Sequence, residues 1–532
     1  MSKGAGETPR TWALQAGLLA GVALLVFAGF YALDQVVSPH GESGPAGIAR
    51  FFAFDPQGLN NTISSLAGLN VAVFGIVITV VSIIVQLSAD RFTGVARMFL
   101  HDRVNVVITA FYVITCVGSV WISAAVREDY MPNLTFLAIL AMSTGGLVIM
   151  APYFGYVFWF LDPQNIVVRL RQDAVALASS SALKHDADTA ACFKAQADTV
   201  FALEELTDIT NNSISGKDKI IASAAVDALK DLAIEYLKVK PQASETWFSI
   251  GPEIRRNPDF VAMDPESLTD IEARKTWVEW KVMRQYLSIY NEALGAMRDV
   301  NYLIAIDTRY IGEAAIKAND TELMELVFRF LNSFLRSTLN AKDIRTTYNV
   351  LNQYRKLIES MLALGKAQEA IDGARHMKYY GLVAFEMNLG FVTETVGFDL
   401  AALVQIAHEV SSPAEQTILN EFLQLDRAPF VRAQEKALIG VRKAQVKLAA
   451  YYLCNNNEMR ARAIARDMRD EPADRLDTIR RQLEVVESKD FWEIIDRGRN
   501  MEYMPANQRA CLAQFFSWFD GMSDVRKPGA EA

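Results

Sequence analysis

The densest set of side chains able to do chemistry lies in residues 385–409, FEMNLGFVTETVGFDLAALVQIAHE, which carries Glu386, Glu394, Asp399, His408 and Glu409. Carboxylates and an imidazole on facing helices can hold a metal. That chemistry uses a Glu-x-x-His step, which is missing here. The step from Glu394 to Asp399 also puts the two carboxylates on different helix faces. Structural or solvated roles therefore suit these residues, and neither a metal ligand nor a catalytic residue is assigned. Tyr379 and Tyr380 beside them read as core or groove lining. No phosphate loop, dinucleotide fingerprint, HExxH or GxSxG occurs, so no cofactor is implied. The cysteines Cys116, Cys192, Cys454 and Cys511 show no CxxC or zinc spacing. They read as isolated reduced thiols.

A second pattern is polar without being charged. Gly68, Gly75, Thr79, Ser82 and Gln86 are spaced seven, four, three and four apart within an apolar run, so they share one helix face. Small residues with hydroxyl and amide groups suit close packing of membrane helices. The same stripe could line a pore in an oligomer. Packing is favoured, because no ionisable residue lies in the run. Ser143, Thr144, Gly145 and Gly146 read as packing residues of another run.

The elements that carry these residues divide the chain in two. Apolar runs at 13–33, 66–87, 104–126 and 134–161 each have the ~20 residues that cross ~30 Å of hydrocarbon. Residues 1–162 thus form a transmembrane domain. Trp12, Tyr31, Trp121, Tyr130, Tyr153 and Trp159 sit near the run ends, as an aromatic belt would. Pro152 predicts a kink. The first run is long for a signal peptide and lacks an A-x-A site, so it reads as an anchor. Lys3, Arg10, Arg91, Arg97, Arg103, Arg169 and Arg171 fall on one side, against Arg50 and Arg127 on the other. That asymmetry predicts both termini in the cytoplasm.

The loop after the second run is VQLSADRFTGVARMFLHDRVNVVI. It is basic and amphipathic. Arg91, Phe92, Arg97, Phe99, Asp102 and Arg103 suit either the membrane interface or ion pairs with the cytosolic region. Its Gln86, Leu87, Phe92, Arg97, Phe99, Leu100, Asp102 and Arg103 match a QL-x4-F-x4-R-x-FL-x-DR signature. With it, residues 60–170 resemble a bacterial family of uncharacterised membrane proteins. The resemblance implies an inner-membrane location and carries no activity. A further echo is SISGKDKIIASAAVDAL, where relatives place a Ser-Pro-Gly-x-Asn-Asp turn. Ser215, Gly216 and Asp218 stand nearby, but Pro and Asn-Asp are absent.

Beyond residue 162 the chain reads as all-α. Region 163–240 is membrane-proximal and helical, with Ser215 as N-cap of a helix over 220–237. Pro241, Gly251, Pro252, Pro258 and Pro265 make 241–265 a loop or lid with room for a short strand pair. Residues 266–525 read as successive helices near 268–297, 299–318, 321–338, 342–364, 367–379, 382–410, 428–454, 457–470, 473–486, 489–501 and 506–520. They suit antiparallel pairs stacked as a solenoid, or a compact bundle. No 34-residue period is found. Residues 526–532 read as a disordered tail.

Of the 532 residues, the first 162 hold seven Lys/Arg and nine Asp/Glu, leaving 46 and 53. The rest is therefore mildly acidic, about −7, which excludes a general nucleic-acid binder. Three functions survive. One is a membrane-anchored interaction module with a cytosolic protein partner. Another is an oligomeric channel or transport protein gated by the cytosolic domain. An enzyme has only the acidic stretch around Glu394 to support it. The lipid bilayer and further copies of the chain are the expected partners.

Overall fold

The computed structural model describes residues 56–89, 95–125, 133–182, 189–491, 497–498 and 500–520, with scattered positions between 18 and 33. The described residues are overwhelmingly helical and contain no strand. The chain divides into two compact units, Met1–Leu170 and Arg171–Ala532.

The first unit contains α1 (Pro56–Ala89), α2 (Val95–His101), α3 (Arg103–Ala125) and α4 (Asn133–Phe160). Asn61–Ser88, Arg103–Ala125 and Leu134–Phe160 are long and apolar enough to cross a membrane. They form because uninterrupted apolar residues leave the backbone no partner in lipid except its own helix. Their outer faces carry exposed Ile76, Val106, Val113, Val120 and Trp121. α4 runs on through Pro152. The expected first span, 13–33, lies largely outside the described residues. So does the tail at 526–532.

α5 (Pro163–Ala182) crosses the boundary between the units. The second unit then builds α6 (Thr189–Ser215) and α7 (Lys219–Val239). The N-cap of α7 is Asp218, whose carboxylate accepts from Ile221 N at 3.1 Å. Ser215 instead ends α6, because Lys217 at φ 59° turns the chain between them. The Pro-rich segment is not a strand pair. It forms three one-turn helices, α8 (Glu245–Phe248), α9 (Pro252–Arg255) and α10 (Pro258–Val261), the last two opened by a proline. Trp247, Ile254 and Phe260 are buried. Lys281, fully buried, bonds Asp259 at 2.6 Å and Glu204 at 2.7 Å, which fastens this segment to α6. A buried ammonium without such carboxylates would cost several kcal/mol.

The expected long helix 268–297 is two, α11 (Pro265–Ala273) and α12 (Trp277–Ala293), broken at Lys275 with φ 55°. Next come α13 (Arg298–Ala318), α14 (Thr321–Asn340), α15 (Ile344–Ala363), α16 (Ala367–Glu386) and α17 (Gly390–Glu409). Their starts advance by a constant 23 residues. Each junction is made by one left-handed residue: Asn319, Lys342, Gly365, Asn388 and Ser411. The amide after it bonds back to the helix it has left, as Asp343 N does to Thr338 O at 3.0 Å. The break expected near Gly381 is absent. A Cβ there would meet Leu425 Cδ1 at 2.8 Å, so the glycine serves close packing inside α16.

α18 (Glu415–Leu423), α19 (Arg432–Cys454), α20 (Glu458–Asp467), α21 (Ala473–Glu484), α22 (Ala506–Ala510) and α23 (Leu512–Asp520) complete the unit. The described residues of 489–501 are not helical. Packing alternates: α7, α13, α15, α17 and α19 form one layer, and α6, α12, α14, α16 and α18 the other. α17 is also apolar enough to span a membrane by composition. It is two-thirds buried among α15, α16, α18 and α19, which makes it the core helix of this unit.

Candidate functional site

Polar side chains gather inside the membrane unit. On α3 the buried positions Asn105, Tyr112 and Ser119 recur every seven residues, facing α1 and α4. The Asn70 amide of α1 donates to Ser119 Oγ at 2.7 Å and to Ser143 Oγ of α4 at 2.8 Å. Both hydroxyls donate in turn to their own helices, at Thr115 O and Ile139 O. One amide therefore joins three helices. Further along, Tyr112 donates to Gly146 O at 2.7 Å, and a Cβ at Gly146 would press to 3.3 Å of its ring. Tyr153 then donates to Asn105 Oδ1 at 2.7 Å.

The column ends at Asp102. Its Oδ2 accepts from Val104 N at 3.0 Å and from Tyr156 OH at 2.6 Å, and Oδ1 faces Arg169 at 3.5 Å. The Arg169 guanidinium lies 4.0 Å over the Phe160 ring, and Phe160 meets Phe99 edge-on at 5.3 Å. From Asp102 to Ser119 the column spans about 25 Å of helix, most of a hydrocarbon core. Each bond satisfies a group that lipid could not, so the column fixes the register of α1, α3 and α4.

Of the residues singled out in the sequence, Phe99, Asp102, Ser143, Gly146, Tyr153 and Arg169 belong to this column, Ser143 and Gly146 as packing residues of α4. Arg103 opens α3 and is exposed. Arg91 and Phe92 lie outside the described residues, as does the side chain of Arg97. Gly68, Gly75, Thr79, Ser82 and Gln86 are all exposed on the opposite side of α1. A Cβ at Gly68 or Gly75 would meet nothing within 4 Å, and Thr79 gives its hydroxyl to Gly75 O at 2.7 Å. The stripe therefore makes no packing contact among the described helices. The face that does pack carries Ile63, Asn70 and Val77. Asn70, Asn105 and Tyr112 escape a reading that follows the stripe of small and polar residues along the other face of α1. The seven-residue spacing was the signal that could have found them.

In the second unit the residues of 385–409 do not converge. Among the described residues, no three His, Cys, Asp or Glu side chains form a metal-sized cluster. Asp399 receives Arg497 Nη1 at 2.5 Å and Arg355 Nε at 3.2 Å. Arg497 also donates to Tyr348 O at 2.9 Å and lies 4.0 Å over the Tyr348 ring. His408 Nδ1 sits 3.0 Å from Glu415, which also accepts from Tyr452 at 2.8 Å and pairs with Arg460. Burial pushes Glu394 up to about 7, with Lys443 opposing and Glu502 adding to the shift. A Cβ at Gly440 would meet Glu394 Cγ at 2.5 Å, so α19 passes this side chain through a glycine. Beside these groups lies a recess of about 530 Å³, between α15, α17 and α19 and the residues Lys489, Asn500, Tyr503 and Gln508. Phe398, Ala401 and Ile406 give it an apolar wall, and Lys447 and Lys489 a cationic one, while Arg355 on its rim is paired with Glu359 and Asp399.

Residues 9–203 match the model of a family described as "Predicted membrane protein (DUF2254)", whose function is unknown. The match covers the membrane unit and ends within α6. No curated protein and no solved structure matches the chain.

Proposed function

We propose that this protein is a membrane-anchored interaction module of the bacterial inner membrane. Its spans hold both termini in the cytoplasm, and its paired helices bind another protein. The observation that carries this reading is the two-layer stack with a constant 23-residue step, bordered by a recess with an apolar and a cationic wall. Stacked helix pairs offer extended faces for partners and need no catalytic residues. The recess suits a segment with one large apolar side chain against Phe398 and Ile406, and a carboxylate near Lys447 and Lys489. Replacing Gln405, which lines the recess, with a photo-crosslinking residue in the full-length protein tests this. In native membranes it should give one discrete adduct with another protein. No adduct from this position would count against the reading.

A channel has one specific observation in its favour. The stripe from Gly68 to Gln86 faces away from the described helices of its own unit. In a ring of copies it would line a central path or the contacts between neighbours. Ion flux from liposomes holding the purified protein, altered by thiol reagents at Ser82→Cys after Cys116 is replaced, would promote that reading.

A further inference from the structure

Two of the four cysteines, 57 positions apart, are brought together at the end of α19. Cys454 is the last residue of that helix, and Cys511 follows α22, which packs against α19. Asn507 touches both. Its side-chain amide donates to Cys454 Sγ at 3.0 Å, and its carbonyl accepts from Cys511 Sγ at 3.5 Å. The Cys454 thiol is also near enough to weigh on the Cys511 thiol electrostatically. Both are partly exposed, so a small reagent reaches them. Cys116 lies in a membrane span and Cys192 is buried on α6.

We propose that Cys454 and Cys511 form a reversible dithiol–disulfide pair that staples α22 to the end of α19. The oxidant is a low-molecular-weight disulfide of the glutathione type. The Cys454 sulfur, toward which the Asn507 amide points its N–H, attacks that disulfide and releases one small thiol. Cys511 then attacks the Cys454 sulfur of the mixed disulfide, forms the intramolecular bond and releases the second small thiol. The two protons of the protein thiols end on the released thiols, and the oxidant takes two electrons. Burial, then the neighbouring Cys454, holds the Cys511 thiol above its ordinary pKa, so less of it is thiolate and the second step quickens as pH rises. In a reducing cytosol such a bond is transient and reports oxidation. It closes a long loop holding α20 and α21, so it raises the unfolding temperature of this unit.

The test uses the full-length protein in mild detergent, titrated with oxidised glutathione. Free thiols should fall from four to two, and a non-reduced digest should contain the Cys454 peptide joined to the Cys511 peptide within one chain. Reduction should restore all four, and Cys454→Ser should abolish the linked peptide. Retention of four thiols, stable glutathione adducts without the link, or a bond between two chains would each overturn the proposal. If Cys454→Ser fails to fold, the digest of the unaltered protein decides by itself.

Discussion

The Tyr156 hydroxyl of α4 donates to Asp102 Oδ2 at 2.6 Å, the same oxygen that accepts from the first amides of α3. One carboxylate thus caps one membrane helix and holds another. Asp102→Ala should lose the cap, the Tyr156 bond and the Arg169 pair together, at about 2–3 kcal/mol. Tyr156→Phe should lose one bond, at about 1 kcal/mol. Unfolding in mixed micelles should rank the two in that order. Equal stability of both variants and the unaltered protein would show that the interface network is idle.

Asn70→Leu should weaken the bundle by roughly 1 kcal/mol, the usual scale of hydrogen bonds between membrane helices. Gly75→Leu is the informative contrast. A Cβ at this position meets no atom of the described helices within 4 Å, so the fold of a single chain should be unchanged. Any loss of assembly in this variant then reports contact between copies. A destabilised monomer from Gly75→Leu would place the stripe inside one bundle instead.

These two residues show how much of the molecule was legible. The spans could be read because lipid demands about twenty apolar residues, and such runs admit few alternatives. Asn70 and the stripe could not be ranked, because both look like polarity in an apolar helix, and only tertiary packing says which face turns inward. The helix boundaries followed the same rule. Asn319 and Gly365 announce a left-handed junction by residue type, whereas Lys342 and Ser411 adopt it without any compositional mark. The 23-residue step therefore leaves no repeat signature in residue types and does not coincide with a 34-residue period. The partners of Asp399 were out of reach for another reason. Arg497 lies 98 positions away, and no local pattern links them.

Glu394 gives a prediction with a definite sign. A carboxyl whose folded pKa is raised from 4.5 to about 7 keeps its proton where the unfolded chain has lost it. Its contribution is most favourable below pH 4.5, declines as pH rises to 7, and is constant above. Asp307 and Glu205, each also raised to about 7 by burial first, act in the same sense. Glu394→Gln should flatten part of this decline and raise the unfolding midpoint at pH 8 relative to the unaltered protein. An unchanged slope between pH 5 and 7 would show that this carboxyl titrates normally.

The Lys/Arg asymmetry predicts the topology directly. A reporter active only in the periplasm should be silent when fused after Arg171 and active when inserted near Gly44. The reverse pattern would place the paired helices outside the cytoplasm and remove the cytosolic partner.

Partner binding is tested most directly by a cryo-EM map of the assembly extracted from native membranes in mild detergent. The expected map shows a second, different protein segment seated between Phe398, Gln405 and Tyr503. It shows no continuous water-filled path along Gly75, Thr79 and Ser82. A ring of identical copies around an open pore at those three residues, with the recess empty, would contradict the interaction module and establish the channel.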